Sequence, residues 1–242
     1  MVVSHRPCHL LPIHAAGLSG AIDASRLLVS SPITTVDSLL KAHQHNSVVL
    51  VGPPKLLVVS QPNAIGQSVL PMATREVAEL KQLATSSNWP EENTVQLNGS
   101  EATVSSVSSH IHFACHGLQH PSLGMKSAFA LGDGVLKLGR IASNRVAAGR
   151  FAFLSVCHAA AGLRHLLGEN MHLAAGLQFS GSPSVTGTMW TIADDDAPVV
   201  ARYLYEYMLR NGAGAFDREE AAVALNQAVL KLRKTSKVTV DR

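Results

Sequence analysis

Two apolar runs that each end in a reactive side chain constrain this sequence most. The run 151–156 (FAFLSV) leads into Cys157, and the run 110–115 (HIHFAC) leads into His116 and Gly117. A short apolar run bounded by small or polar residues predicts a buried strand. Open α/β sheets carry their chemistry at the carboxyl ends of such strands. We therefore expect two neighbouring strands whose ends bring a thiol and an imidazole together.

The order of strand and helix patterns predicts the fold class. From Lys55 onward, strand-like runs alternate with amphipathic stretches such as 73–85 and 196–209. This alternation favours a three-layer α/β fold with a mostly parallel central sheet flanked by helices. The first fifty residues fit the alternation less well, although the run 27–31 before Pro32 has the form of a strand. We expect an N-terminal segment, residues 1–50, that leads into a core spanning residues 51–242.

Composition and charge exclude several classes of protein. The chain has 242 residues, 46% of them hydrophobic, which suffices for a sizeable core. Its net charge of +3 comes without a run of Lys or Arg, so neither nucleic acid nor a membrane surface is an expected partner. We find no apolar stretch of about 18 residues and no signal-peptide pattern. Three widely separated cysteines favour a reducing compartment, and we expect a cytoplasmic protein.

His116 and Cys157 form a candidate nucleophile-and-base pair. They are 41 residues apart, which leaves room for a crossover that lays their strands side by side. The backbone N–H groups of Gly117 and Cys157 are candidate donors to a reaction oxyanion. The alternative interpretation is structural, since a free cysteine is commonly a core residue and a histidine can simply end a strand.

Three consecutive aspartates, Asp194, Asp195 and Asp196, follow Trp190 and precede a helical pattern. One aspartate suffices to cap a helix, which is the ordinary explanation for such a residue. The surplus carboxylates predict an acidic pocket near the cysteine strand, with Asp194 as the first candidate and Asp196 as the second. Such a pocket prefers a basic side chain in a substrate.

A metal site is the weaker interpretation of the histidines and cysteines. Strand alternation places His110, His112 and His116 on one face and Cys115 on the other, and His158 follows Cys157. The sequence contains neither a CxxC nor an HExxH spacing. We therefore expect no metal and no other cofactor.

Taken together, these stretches resemble the CHAT family, a caspase-like domain that is often joined to tetratricopeptide repeats. The similarity is carried, in family order, by LLPIHAAG (10–17), LPMATRE (70–76), HFACHG (112–117), LSVCHAAAG (154–162), HLAAGLQFSG (172–181), SVTGTMW (184–190), DDDAP (194–198) and ALNQAVLKLR (224–233). Two of them, HFACHG and LAAGLQFSG, are similar to fungal members.

The resemblance implies a caspase- or separase-type cysteine endopeptidase that cleaves a protein substrate. His116 would be the general base and Cys157 the nucleophile, with the backbone of Gly117 and Cys157 holding the oxyanion. By similarity to separase, Asp194 would line the S1 pocket, with Asp196 as second choice. A tetratricopeptide-repeat protein or another regulatory protein would be a partner.

Two further hypotheses stay open. The first is a catalytically idle CHAT-fold module for protein interaction or signalling, because Ala159 stands where the family usually has threonine and the sequence shows no tetratricopeptide repeats. The second is a thiol redox sensor that uses Cys115 and Cys157.

Overall fold

A five-stranded parallel sheet forms the centre of the computed structural model. The structure describes residues 15–17, 23–33, 35–44, 54–90, 94–97, 109–120, 123–144, 150–156, 172–188 and 192–235. Within the sheet the strands lie side by side in the order β2 (Thr94–Leu97), β1 (Leu56–Ser60), β3 (His110–Ala114), β7 (Phe151–Ser155) and β8 (Ser184–Gly187). A smaller antiparallel sheet consists of β4 (Gly117–Leu118), β5 (Ala128–Leu131) and β6 (Gly134–Lys137).

The α-helices of the described residues lie before, between and after these strands. They are α1 (Ala24–Leu27), α2 (Val36–Gln44), α3 (Pro71–Ser86), α4 (Leu138–Asn144), α5 (Leu173–Phe179), α6 (Asp196–Met208) and α7 (Ala221–Thr235). Within the described part of the chain, none of them has the length and apolar character needed to cross a bilayer.

The central sheet separates two apolar cores, because successive strand residues point to opposite faces. Leu56 and Val58 of β1 pack with α3, α6 and α7, whereas Leu57 and Val59 pack with α4, α5 and the β5–β6 hairpin. Both faces of β1 and β3 are buried, as expected for a parallel sheet covered on both sides. The predicted three-layer α/β architecture with a parallel central sheet is therefore confirmed.

Strands β3 and β7 are direct neighbours in parallel register. His110 lies opposite Phe151 and Ala114 lies opposite Ser155, so paired residues differ by 41 in number throughout. The prediction that these two strands lie side by side is confirmed. Cys157, two residues beyond the end of β7, lies outside the described residues.

The strand predicted at residues 27–31 is wrong. Leu27 is the last residue of α1, and the N–H of Leu28 donates to the carbonyl of Ala24 to close that helix. Leu28 is 65% exposed and Val29 is 49% exposed. An apolar run forms a strand only where a neighbouring strand and a core face are available, and among the described residues this run meets neither.

Candidate functional site

A cleft of about 70 Å³ lies at the carboxyl ends of β3 and β7. This is the edge at which open α/β sheets place their ligands. Polar residues from four separate parts of the chain meet there, and apolar residues complete its walls. The lining comprises Leu70, Ala73, Glu76, Ala114, Cys115, His116, Ser155, Ile192, Asp194 and Ala197.

His116 is half-buried in this cleft, and one backbone contact determines its tautomer. Its Nε2 lies 2.7 Å from the carbonyl oxygen of Ser68. A carbonyl can only accept a hydrogen bond, so Nε2 carries the hydrogen and donates it. Neutral His116 therefore keeps its lone pair on Nδ1, which is the nitrogen able to accept a proton.

The loop between β1 and α3 fixes that carbonyl in place. The N–H of Gln61 donates to the carbonyl of Ala114 at 2.9 Å, and the N–H of Leu70 donates to the carbonyl of Pro62 at 2.8 Å. Gly66 turns the chain at φ +76°, a conformation that glycine adopts without steric cost. Both ends of the loop are thus tied down, one of them to the strand that carries His116.

Gly117 begins β4 in a position suited to donating a hydrogen bond outside the hairpin. The N–H of Ala130 donates to the carbonyl of His116 at 2.9 Å, while Gly117 itself lies opposite Phe129. Directly opposite residues of two antiparallel strands alternate between pairs that exchange backbone hydrogen bonds and pairs that do not. Gly117 and Phe129 form a pair of the second kind. Its N–H consequently points away from β5.

The three aspartates lie in different environments. Asp194 lines the cleft, and its Oδ2 accepts a hydrogen bond from the N–H of Met72 at 3.3 Å, in the first turn of α3. Asp195 is exposed at the N-cap of α6, where its side chain makes no capping bond, and Asp196 is the first residue of that helix. Of the three, only Asp194 is part of the cleft lining.

The chain that leads to Cys157 is held on two sides. The hydroxyl of Ser155 donates to Oε2 of Glu76 at 2.8 Å. The hydroxyl of Thr188 donates to the carbonyl of Val156 at 2.7 Å. The two residues that precede Cys157 are therefore fixed by side chains from α3 and from the end of β8.

The remaining histidines of β3 have structural partners. His110 lies 2.9 Å from the Ser109 hydroxyl, and burial, together with the charge of Arg150, lowers its pKa to about 3. His112 Nε2 lies 3.0 Å from Glu76 Oε1. Among the described residues, no cluster of three or more His, Cys, Asp or Glu side chains is placed to hold a metal ion. His158 lies outside them.

Cys115 faces the core on the other side of the sheet from His112. It is fully buried, and burial raises the pKa of its thiol. A thiol of this kind stays protonated and is a poor nucleophile. This environment argues against the redox-sensor hypothesis.

Sequence reasoning missed Glu76, although a signal for it is present. Ala73, Val77, Leu80 and Ala84 form the buried stripe of α3, and Glu76 lies within that stripe, 3% exposed. A carboxylate on the apolar face of an amphipathic helix is unusual and indicates a specific partner. The partners themselves could not be predicted, because they lie on other strands.

Comparison with known proteins gives a family and a distant structural similarity. The model of the CHAT domain family matches residues 1–241. No curated protein matches the chain. The crystal structure of the Arg-specific cysteine proteinase gingipain R is similar at 10% sequence identity and a TM-score of 0.49. That match covers 76% of this chain and 43% of the gingipain chain, so the chain spans less than half the length of that protein.

Proposed function

The chain belongs to the CHAT domain family, and from that premise we propose that it is a caspase-like cysteine endopeptidase whose dyad is His116 and Cys157. The substrate is a protein, cut at a peptide bond that follows a basic residue.

The register of β3 and β7 carries this proposal. Paired residues differ by 41 in number, and the same difference separates His116 from Cys157. Paired residues of parallel strands point to the same face of a sheet. Residues 116 and 157 continue this numbering two residues beyond Ala114 and Ser155, and we propose that the two meet at the cleft.

The proposed reaction uses the orientation of His116. Nδ1 takes the thiol proton of Cys157, and the thiolate attacks the carbonyl carbon of the peptide bond. The N–H groups of Gly117 and Cys157 stabilise the oxyanion that forms. The imidazolium then gives its proton to the leaving amine, and water releases the acyl group from the sulfur.

Asp194 supplies the proposed preference for a basic side chain. It lines the same cleft as His116, and its bond to Met72 occupies only part of the acceptor capacity of its carboxylate. A lysine or arginine side chain in the cleft would gain a charge-assisted hydrogen bond there. Asp196 remains the second candidate for the same contact.

The test is labelling of the purified protein with two peptide acyloxymethyl ketones that differ only in ending with arginine or with aspartate. We expect mass spectrometry to locate the adduct on Cys157. The arginine probe should react about tenfold faster or more, as expected for one close charge pair. Cys157→Ala and His116→Ala should each abolish labelling, whereas Cys115→Ala, which changes a buried thiol, should retain it.

Two outcomes would contradict the proposal. Labelling of Cys157 that persists in His116→Ala would show that His116 is not the base that activates this thiol. A folded protein that reacts with neither probe would favour the idle interaction module, for which Ala159 in place of the usual threonine is the sequence argument.

Regulation and location are further parts of the proposal. We propose a tetratricopeptide-repeat or other regulatory protein as the activating partner and the cytoplasm as the place of action. These rest on the family resemblance and on the three scattered cysteines. The similarity to fungal members and the division of the chain at residue 50 remain predictions.

A further inference from the structure

A chain of polar contacts runs from the lining of the cleft into the core and connects four elements. Glu76 of α3 accepts from the Ser155 hydroxyl of β7 through Oε2, at 2.8 Å. Its other oxygen, Oε1, lies 3.0 Å from Nε2 of His112 on β3, within ion-pair range but not aligned for a hydrogen bond. The Nδ1 of His112 in turn lies 3.3 Å from the hydroxyl of Tyr205 on α6.

The imidazole of His112 is fixed in this chain by its surroundings. It is fully buried and stacks on the ring of Phe153, with centroids 5.0 Å apart and planes 2° from parallel. Burial and the charge of Glu76 raise the pKa of Tyr205, so its hydroxyl keeps its proton and can donate to Nδ1. With Nδ1 as the acceptor, Nε2 of His112 carries a hydrogen on the side of the carboxylate.

Stability alone is a poor explanation for Glu76. Taking a carboxylate out of water is costly, and well-packed apolar residues often replace such buried groups without loss of stability. The contacts of Glu76 have a more specific feature, which is their position relative to the proposed dyad. Ser155 lies two residues before Cys157, and His112 lies on β3, four residues before His116.

We propose that Glu76 is a positioning residue, which holds the ends of β3 and β7 together so that His116 and Cys157 keep their mutual geometry. This inference rests on the proposed peptidase function and assigns a role to a residue that had none in the sequence analysis. A misplacement of the order of 1 Å between reacting groups lowers a rate about a hundredfold, so a clamp beneath two strand ends has a measurable effect.

The test compares Glu76→Leu with Glu76→Gln, which keeps an acceptor for Ser155, by the turnover of a fluorogenic peptide amide that ends in arginine. We expect Glu76→Leu to lower kcat roughly ten- to a hundredfold, the effect of losing one charged hydrogen bond. KM should change less than about twofold, because the carboxylate oxygens of Glu76 face Ser155 and His112 and leave substrate binding to the other residues of the cleft. Glu76→Gln should restore most of kcat. Glu79→Leu, on the same helix but in half-buried ion pairs with Arg75 and Arg202 outside the cleft, is the matched control and should leave kcat unchanged.

Ser155→Ala tests the same clamp from the other strand and changes only one hydroxyl. It should lower kcat in the same way, and the double variant with Glu76→Leu should be no slower than Glu76→Leu alone, because both remove one bond. Melting temperatures, measured on every variant, separate positioning from unfolding. If Glu76→Leu fails to fold, the kcat of Ser155→Ala still tests the positioning role.

Two results separate a failure of the peptidase function from a failure of the positioning role. An unreactive parent protein would overturn the peptidase function, and this inference with it. A reactive parent whose Ser155→Ala variant, and whose folded Glu76→Leu variant, keep the parental kcat would overturn this inference alone.

Discussion

His116 and His110 stand at opposite ends of β3 and have opposite environments, because Trp89 and Phe216 cover the amino end whereas the carboxyl end opens on the cleft. His116 lies beyond the end of β3, half-buried, with a backbone carbonyl on one nitrogen. His110 starts the strand, 3% exposed, with ring contacts to Trp89 and Phe216. Proton transfer needs access to solvent or substrate, so only the first position suits a general base. The second suits a histidine that stays neutral in the core.

We predict that His110 makes the fold acid-sensitive. Its pKa is about 3 in the folded protein, against an ordinary value of 6.5. Between these values the unfolded chain binds a proton that the folded chain does not, so stability falls as the pH falls from 6.5 towards 3. The full shift corresponds to on the order of 5 kcal/mol.

Urea unfolding of the parent and of His110→Phe across that pH range measures the effect. The phenylalanine keeps a ring between Trp89 and Phe216 but cannot titrate, so its stability should fall less steeply with acid. His43→Gln, an exposed change on α2, should keep the parental pH dependence. Equal slopes in parent and His110→Phe would show that His110 is not the titrating group.

At the scale of elements, α3 depends on a capping group from elsewhere in the chain. The helix starts with Pro71, and Leu70 at its N-cap has no side chain able to accept a hydrogen bond. Asp194, which precedes α6, accepts from the N–H of Met72 instead. This contact joins α3 to the start of α6 and brings a carboxylate to the cleft, so one residue serves the fold and, as proposed, the substrate.

Substitutions at Asp194 should separate these two roles. We predict that Asp194→Asn, which keeps an acceptor for Met72, leaves the free energy of unfolding within about 0.5 kcal/mol of the parent. The same change removes the charge and should abolish the preference for the arginine probe. Asp194→Ala should also lose that preference, and it should lower the free energy of unfolding by about 1 kcal/mol more than Asp194→Asn does.

Asp195→Asn is the matched control, because Asp195 is exposed and its side chain makes no capping bond. Asp195→Asn should change neither the free energy of unfolding nor the preference for the arginine probe. Retention of the arginine preference in Asp194→Asn would transfer the proposed role to Asp196.

The strands and most helices could be predicted because their signals are local. The apolar runs at 110–115 and 151–156 and the spacing of 41 residues predicted a pairing that the structure confirms. The run 27–31 carried the same local signal, and it failed because no described strand lies beside it. Propensity therefore identifies possible strands, and the available partner decides among them.

The supporting contacts of the site could not be predicted for a different reason. Ser68 acts through its backbone carbonyl, which leaves no trace in residue type. Glu76 and Ser155 are 79 positions apart and meet only because α3 packs on β1 and β3, and β7 lies beside β3. A sequence pattern shows that a carboxylate interrupts an apolar stripe, but the residue that it faces is a property of the assembled layers.

Across the whole molecule, burial is distributed unevenly. Every residue of β1 and of β3 is buried, and the two cores pack against both faces of these strands. Helix α2 has no buried residue, and its Val36 and Leu40 are 53% and 57% exposed. Local opening requires little free energy where few apolar contacts are lost. The central strands and α2 should therefore differ greatly in the free energy at which their amides become accessible.

Hydrogen exchange followed by mass spectrometry tests this difference. We predict that amides of α2 exchange through local opening and are at least about a thousandfold less protected than those of β3, which exchange through global unfolding. The experiment is repeated at two protein concentrations, because self-association through the exposed apolar side chains of α2 would protect that helix only in the concentrated sample. Protection of α2 equal to that of β3 in the dilute sample would contradict the prediction, since it would require contacts for α2 that the described residues do not provide.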